Sequence, residues 1–525
     1  MQPSRASASA STGPLLYSSP AGKMGKDDQR PLLSGWIVFL LSAPFFGLQF
    51  VFVIQQAFGV PYLNSISFSN SEVTWTLMAG PLAGLFLPPI IASTSDGSRR
   101  LPILGGGLGV VIGLLCLSWA RESSALVLGA LRLDAPAAVV TGGKLVAVVA
   151  VYLLNIAMQP IHISLRALLI DICSPQQQAT ASLWITRLSS SGSVLGTAFA
   201  FFTEPSFKSL SAMCCAALFL LLGVHTIFAH KYYVEQREEM GQRGHVYNAW
   251  DLRSIASKMR QLVKKSTRLP EATRIVCRTQ MWAWLAWFPV LFYMTTAVSD
   301  TYKRASVELG QPRATKAEAE VASAGCMLVF HSVVLVTTVL MQCASGTRPS
   351  PRAAATSGAS DEYTALERNN KLQLLEDQNR KLFQVWSLAL TSTAGALALS
   401  VLSVLGGTDR AAPLVLASLG VQFAISNWIP HGLIATDLAV EGDRADADGD
   451  TGDGKLDGAA AILAIHNGAV CVPQIASAAA CGLFFHIAES LDLTVDVFWV
   501  FLLVTPALLM AACSSRPRTR RTEPI

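Results

Sequence analysis

The sequence predicts an all-α membrane protein with twelve transmembrane helices, arranged as two halves of six. Hydrophobic residues make up 51% of the 525 residues, charged residues make up only 14%, and the mean hydropathy is +0.43. A soluble chain carries about 25% charged residues, so this chain must place apolar surface in lipid. Apolar segments of about 20 residues, enough for a helix to cross the hydrocarbon core, recur along the whole chain.

Twelve windows have this length, and the polar segment 230–280 separates the first six from the last six. The windows are 36–55, 73–93, 101–120, 145–165, 181–202, 210–229, 281–298, 321–341, 382–405, 412–434, 459–485 and 495–513. The predicted domains are a disordered cytosolic tail 1–34, an N-terminal half 35–229, a cytosolic middle loop 230–280, a C-terminal half 281–513 with polar loops 345–381 and 437–457, and a basic cytosolic tail 514–525.

The distribution of Lys and Arg predicts the orientation of these helices. If both termini are cytosolic, 29 of the 40 Lys and Arg residues lie in cytosolic segments and 9 in outer loops. That bias follows the positive-inside rule. We therefore expect a multi-pass protein with both termini in the cytosol, in the plasma membrane rather than a vacuolar or other internal membrane.

Two sets of six helices joined by a basic linker are typical of the major-facilitator fold. In such a carrier the solute binds between the halves, near the middle of the bilayer. The fourth helix has a polar stripe on one face, formed by Asn155, Gln159, His162 and Arg166 at intervals of four, three and four residues. A charged residue inside a membrane helix is costly and normally faces a cavity or a partner. The alternative is a polar contact between helices, with Arg166 extending to the inner surface.

Further polar residues lie in other predicted membrane helices. Besides the stripe residues Asn155, Gln159 and Arg166, the candidate substrate-binding residues are Gln49, Gln55 and Asn467. If transport is coupled to protons, the candidate carriers are His162, His466 and Asp300. The candidate gating residues are Asp96, Arg99, Arg100, Asp171 and Arg187.

The chain shows no pattern typical of an enzyme. No Ser/His/Asp set, carboxylate pair or metal-ligand cluster stands out, so we expect no catalytic residue, no metal site and no cofactor other than a coupling proton. No basic run alternates with aromatic residues, which argues against a nucleic-acid partner. The expected partners are a small sugar and the lipid bilayer, and the oligomeric state stays open.

Motifs from the first to the eleventh helix resemble the sucrose–proton symporter family, in particular its fungal α-glucoside branch, within the glycoside–pentoside–hexuronide:cation symporters. In the first and second predicted helices the segments are Gly47-Leu-Gln-Phe with Gly59-Val-Pro61-Tyr62-Leu63, and Ala79-Gly-Pro-Leu-Ala-Gly-Leu with Ser95-Asp96 and Arg99-Arg100-Leu-Pro102. In and after the fourth helix they are Leu154-Asn155-Ile-Ala-Met-Gln159-Pro160, Arg166-Ala-Leu-Leu-Ile-Asp171 and Gln176-Gln177-Gln178. In the C-terminal half they are Trp287-Phe-Pro with Phe292-Tyr293 and Thr295-Thr296, Asn427-Trp-Ile-Pro430, and Ile465-His466-Asn467 with Pro473-Gln474.

The resemblance implies a twelve-helix major-facilitator fold that imports sucrose, maltose or related α-glucosides with a proton. It also implies that Arg166 matches an arginine that helps to bind sugar or to couple the proton. Two positions depart from the pattern. Plant members have an Asp where this chain has Asn155, and fungal and animal members tend to have a Glu where it has Gln55. An amide does not titrate in the physiological range.

These observations predict a secondary-active transporter of sucrose or related α-glucosides that works by alternating access. Three alternatives stay open: an uncoupled sugar uniporter, a sugar sensor or scaffold that no longer transports, and a carrier of a non-sugar solute on the same fold.

Overall fold

The computed structural model describes residues 33–94, 100–133, 135–173, 178–203, 206–243, 263–310, 312–345, 361–407, 411–447, 454–493 and 496–516, together with 257 and 260. Within these ranges the secondary structure is α-helical. The helices are α1 (Gly35–Ser42 and Pro44–Ser65), α2 (Asn70–Leu77 and Ala79–Thr94), α3 (Arg100–Ser118 and Ala120–Ala130), α4 (Pro136–Ile172), α5 (Gln178–Thr203), α6 (Phe207–Arg243), α7 (Glu271–Glu308), α8 (Lys316–Ser345), α9 (Asp361–Leu405), α10 (Ala411–Ser418 and Gly420–Ala447), α11 (Gly454–Ser490) and α12 (Phe498–Ser514).

The all-α membrane class is confirmed, and nine helices of the described chain are long and apolar enough to cross a membrane. The shorter apolar helix α12 adds a tenth candidate. Helix α2 is split at Met78, and α5 is diluted by polar residues that include Arg187. The count of twelve spans therefore stays a prediction, although the order of the helices follows the predicted windows.

Helices extend into segments that the sequence analysis assigned to polar loops. Helix α6 continues to Arg243 and α7 begins at Glu271, inside the predicted middle loop. Helix α9 begins at Asp361, and α10 continues to Ala447. Hydropathy detects only the apolar part of a helix, whereas backbone hydrogen bonding continues wherever local propensity permits it.

Proline and capping residues determine where α1 and α2 begin or break. Pro44 follows the break at Ala43 and occupies the first turn of the second segment of α1, where its missing N–H is tolerated. Ser69 and Glu72 form a capping box at the start of α2: Ser69 Oγ accepts from the Glu72 N–H at 3.2 Å, and Glu72 Oε2 accepts from the Ser69 N–H at 2.8 Å.

The two ends of the helix bundle differ in their cores. We call the end near Gly35 and Ser514 the terminal side, and the opposite end the distal side. One hydrophobic cluster joins the halves on the distal side, where Val60 and Leu77 share it with Trp287. A separate cluster fills the terminal part of the N-terminal half. Among the described buried residues, the two halves therefore share a hydrophobic cluster through the distal part of the N-terminal half.

Within the described part of the chain, three helix pairs pack most extensively across the boundary between the halves: α1 with α7, α2 with α11, and α5 with α8. Over the described residues, α4 and α10 are not among the pairs that pack closely. Because both helices carry polar side chains, this separation provides the space for a site.

Candidate functional site

Three cationic or titratable side chains line solvent-accessible space between the halves. His162 and Arg166 on α4 and His431 on α10 are all solvent-exposed, although protein atoms surround each of them. His431 also lies within electrostatic range of Arg166. Side chains that are accessible to water yet enclosed by helices define a cavity, and this one lies toward the terminal side.

The aromatic ring of Phe45 on α1 positions the two α4 residues. The Arg166 guanidinium carbon lies 5.8 Å from the centroid of this ring, and the His162 ring meets it edge to face at 5.6 Å. A cation over an aromatic face gains partial compensation for lost hydration. Among the described residues Arg166 has no ion pair or hydrogen bond, so its donors remain available to a ligand.

Two imidazoles of the C-terminal half face this cluster. The rings of His431 and His466 meet edge to face with centroids 5.2 Å apart. His431 Nδ1 lies 2.8 Å from the Asn427 carbonyl oxygen. His466 is 5% exposed, and its Nε2 has no hydrogen-bond partner among the described residues. An unsatisfied buried polar atom beside a cavity indicates a place for water or a ligand.

The sequence analysis did not include His431 among the candidates. Its position was open to inference, because it follows the Asn427-Trp-Ile-Pro430 motif and lies four residues after Asn427, on the same helix face. What the sequence could not supply was the contact with His466 on another helix.

The two amides that replace the carboxylates expected from the resemblance touch each other. Asn155 Nδ2 donates to Gln55 Oε1 at 3.0 Å and also contacts the Val151 carbonyl oxygen at 2.9 Å. Gln55 Nε2 lies 3.4 Å from Met158 Sδ. The pair connects α1 to α4 without any charge, and Asn155 is 8% exposed.

Gln159 and Asn467 lie where α2 crosses α11. Asn467 Nδ2 donates to the Gly84 carbonyl oxygen at 2.6 Å. A Cβ placed on Gly84 would lie 2.9 Å from Cys471 Sγ and 4.0 Å from Gln159 Nε2. The Asn467 amide therefore joins the halves, and its Oδ1 is the atom left for a ligand.

The remaining binding and coupling candidates lie apart from the cluster. Gln49 is half-buried on α1, one turn beyond Phe45. Asp300 lies near the distal end of α7, where Lys303 Nζ approaches it to 3.8 Å. The bundle therefore brings together His162, Arg166, His431 and His466, and it places Asp300 at the opposite end.

Of the gating candidates, Arg100 and Arg187 lie near the terminal side. Asp96 and Arg99 are outside the described residues, as is the side chain of Asp171. Arg100 is exposed at the start of α3, and the Arg187 guanidinium lies 5.7 Å from the Trp184 ring centroid on α5. Their gating roles stay predictions. Among the described residues no group of three His, Cys, Asp or Glu side chains could hold a metal ion.

On the distal side, direct hydrogen bonds join the halves. The Thr74 hydroxyl on α2 bonds to the Tyr293 hydroxyl on α7. Near it, the Ser71 N–H donates to Glu489 Oε1 at 3.3 Å, and Ser71 Oγ donates to the Gly482 carbonyl oxygen at 3.3 Å. We call these contacts of α2 with α7 and α11 the distal latch.

Two solved structures of membrane transporters have a similar fold. The xylose transporter XylE from E. coli, in a partially occluded inward-open conformation, aligns with a TM-score of 0.54 at 13% identity, over 91% of this chain and 98% of that one. The nucleoside transporter NupG aligns with a TM-score of 0.55 at 10% identity, over 92% and 98%. At these identities the likeness concerns the fold alone, which is that of the major-facilitator transporters.

Sequence relatives narrow this class. The general alpha-glucoside permease of Schizosaccharomyces pombe is 24% identical over 89% of both chains. The sucrose transport protein SUT5 of Oryza sativa is 25% identical over 56% of this chain and 58% of its own length. No family model matches the sequence.

The predicted resemblance is confirmed by these relatives: the chain is similar to an alpha-glucoside permease over most of its length and to sucrose transport proteins over part of it. It is an integral multi-pass membrane protein, and its relatives are named as permeases and transport proteins rather than enzymes.

Proposed function

We propose that this protein carries sucrose or a related α-glucoside across a membrane by alternating access. One observation carries the proposal: Arg166 stands exposed in the cavity between the halves, without an ion pair among the described residues. A charge within a membrane helix normally faces a water-filled cavity or a partner and indicates the path of a solute. The similarity over 89% of the chain to a general alpha-glucoside permease suggests the ligand class.

Each lining group would have a distinct role in binding the sugar. Arg166 offers up to five N–H donors to hydroxyl and ring oxygens, and imidazoles and amides both donate and accept. Sugar hydroxyls also do both, so they match such a lining. Rocking of the halves about the bound sugar would then expose it to either side.

The terminal side would face the cytosol, with both termini inside and the protein in the plasma membrane. The excess of Lys and Arg in the terminal-side segments supports this orientation. In that orientation the structure corresponds to the cytosol-facing state, since the distal latch joins the halves on the outer side.

Transport would proceed without a proton bound at the position of Asn155 and Gln55. Asn155 Nδ2 donates to Gln55 Oε1 at 3.0 Å, and neither amide titrates in the physiological range. If transport is nevertheless coupled, the titratable groups at the cavity are His162, His431 and His466. Asp300, at the distal end of α7, would require a separate path.

The deciding experiment is uptake by cells that lack their own sugar carriers. Radiolabelled sucrose, maltose and glucose are supplied across pH 5 to 8, with and without a proton uncoupler. We expect saturable uptake of an α-glucoside that the uncoupler leaves unchanged. Loss of uptake with the uncoupler would establish symport, and absence of any sugar uptake would refute the proposed substrate class.

The Asn155→Asp variant tests the account of coupling. A carboxylate at this position keeps its acceptor oxygens beside the Gln55 amide and adds a titratable group, so uptake should become pH-dependent. Asn155→Ser is the matched control, because it is polar but does not titrate. A flat pH profile in a transporting Asn155→Asp protein would contradict this account.

The uncharged amide pair also motivates a second candidate function, a sugar sensor that binds without carrying. Purified protein in vesicles separates the two functions. Sugar binding without flux would favour the sensor, whereas counterflow of labelled sugar would establish the carrier.

A further inference from the structure

The protonation of His431 can be assigned from its contact with its own helix. His431 Nδ1 lies 2.8 Å from the Asn427 carbonyl oxygen. A carbonyl only accepts, so Nδ1 carries the hydrogen, and in the neutral ring Nε2 is left as an acceptor. The ring is exposed to the cavity, and Nε2 has no hydrogen bond with a described residue.

Arg166 presents the opposite chemistry on the other half. Its guanidinium has donors and no acceptor. The cavity therefore offers only donors from Arg166 on α4 and an acceptor from His431 on α10. A ligand that touches both groups must accept from the first and donate to the second.

A hydroxyl group meets both demands, and an anionic group meets only one. A carboxylate would bind the Arg166 donors but would place its lone pairs against those of His431 Nε2. The other titratable group in contact with His431 is His466 on α11, whose Nε2 has no hydrogen-bond partner among the described residues. His162 on α4 lies beside Arg166. Among the described residues no carboxylate is paired with Arg166, His431 or His466. A carboxylate there would supply an acceptor to Arg166 and weaken the preference for a hydroxyl group.

We propose that His431 is a specificity-determining residue that, together with Arg166, selects uncharged glycosides over anionic ones. This inference rests on the proposed function and adds to it the C-terminal half of the recognition site. Because the two groups lie on different halves, a hydroxyl-bearing substrate that bridges them would also bring α4 and α10 together.

The experiment compares a neutral α-glucoside with the glucuronide in which a carboxylate replaces its hydroxymethyl group. Uptake of the first and competition by the second are measured for the wild type, His431→Gln and His431→Lys. Glutamine keeps an acceptor, whereas lysine has donors only. We expect His431→Gln to stay within about threefold of the wild type, and His431→Lys to reduce the preference for the neutral sugar about tenfold or more.

The change should appear in KM for the neutral sugar and in the inhibition constant of the glucuronide, rather than in maximal rate alone. His486→Lys is the matched control, since His486 is exposed on α11 near its distal end. If His431→Lys does not reach the membrane, His431→Leu should raise KM for the neutral sugar about tenfold. An unchanged preference in the lysine or leucine variant, or an equal loss in His431→Gln, would overturn the inference.

These outcomes are distinct from failure of the proposed function. A wild-type protein that transports no glycoside would refute the function itself. A wild-type protein that transports the neutral sugar, with His431 variants of unchanged preference, would refute only the role of His431.

Discussion

The two ends of the bundle use polar residues in opposite ways. On the distal side, Thr74, Tyr293 and Ser71 satisfy one another or the backbone across the boundary between the halves. Toward the terminal side, His466 Nε2 has no hydrogen-bond partner among the described residues, and Arg166 and His431 are exposed. Hydrogen bonds between the halves on the distal side stabilise the state in which that side is closed. Polar groups in the cavity that have no partner among the described residues are available to bind a ligand.

The hydrophobic core shows the same asymmetry. The cluster shared by both halves includes residues of the N-terminal half on the distal side, whereas the terminal part of that half has a cluster of its own. Because packed interfaces are bistable rather than continuously deformable, we expect opening on one side to accompany closure on the other. The following predictions test this difference, from the largest expected effect to the smallest.

Removing the positive charge of Arg166 from the cavity should have the largest effect. Arg166→Ala should lower kcat/KM for sugar uptake about 100-fold, because two hydrogen bonds to a charged group contribute about 3 kcal/mol together. Uptake kinetics at matched surface expression provide the measurement. Arg278→Ala is the control, since the Arg278 guanidinium donates to the Ser514 carbonyl at 2.7 Å, away from the cavity. Near-normal uptake in Arg166→Ala would exclude a binding role.

Adding a methyl group at Gly84, where α2 crosses α11, should have the next largest effect. A Cβ on Gly84 would lie 2.9 Å from Cys471 Sγ, so Gly84→Ala forces the Cys471 side chain or one of the two helices to shift and should destabilise the protein by about 1–3 kcal/mol. Thermal unfolding in detergent and the uptake rate should both fall. Adding Cys471→Ala should restore most of the loss. If the double variant is no better than the single one, this contact is not the cause.

Weakening the distal latch should shift the balance between the two states. Tyr293→Phe removes the hydroxyl that bonds to Thr74, a loss of about 1 kcal/mol, or about fivefold in the population of the distal-open state. Distances between spin labels on the distal ends of α2 and α11 report this population. Ser124→Ala is the control, because it loses a distal-side bond to the Val139 carbonyl at 3.0 Å within one half. Equal distance distributions in the wild type and Tyr293→Phe would contradict the latch.

An ion pair within one half should matter least. Lys208 bonds to Glu122 near the distal ends of α6 and α3, and this bond lowers the pKa of the Glu122 carboxyl below its usual value. Since both side chains are largely exposed, Lys208→Met should reduce stability by at most about 1 kcal/mol. The contribution is present above the unfolded-state pKa and lost as the pH falls, so the variants should converge in acid. Melting temperatures near pH 7 and pH 4 test this, and a change in uptake would contradict it.

Much of the site could be predicted from spacing along one helix. The intervals among Asn155, Gln159, His162 and Arg166 place them on one face of α4, and the structure places the last two beside the cavity. The spacing could not predict which of these polar side chains are hydrogen-bonded to a neighbouring helix and which are exposed to the cavity. Asn155 is bonded to Gln55, and Asn467 to the Gly84 carbonyl. Such pairings depend on how helices distant in sequence pack, which no period within one helix specifies.

The sequence by itself determined the membrane class, the order of the helices and the polar face of α4, because hydropathy and helical periodicity are local properties. The tertiary structure alone decided that His431 lies within electrostatic range of Arg166 across the two halves, and that Thr74 bonds to Tyr293 on the distal side. These contacts join residues more than 200 positions apart, so they exist only once the helices have packed. That packing leaves the Arg166 guanidinium exposed in the cavity, where a ligand can bind it.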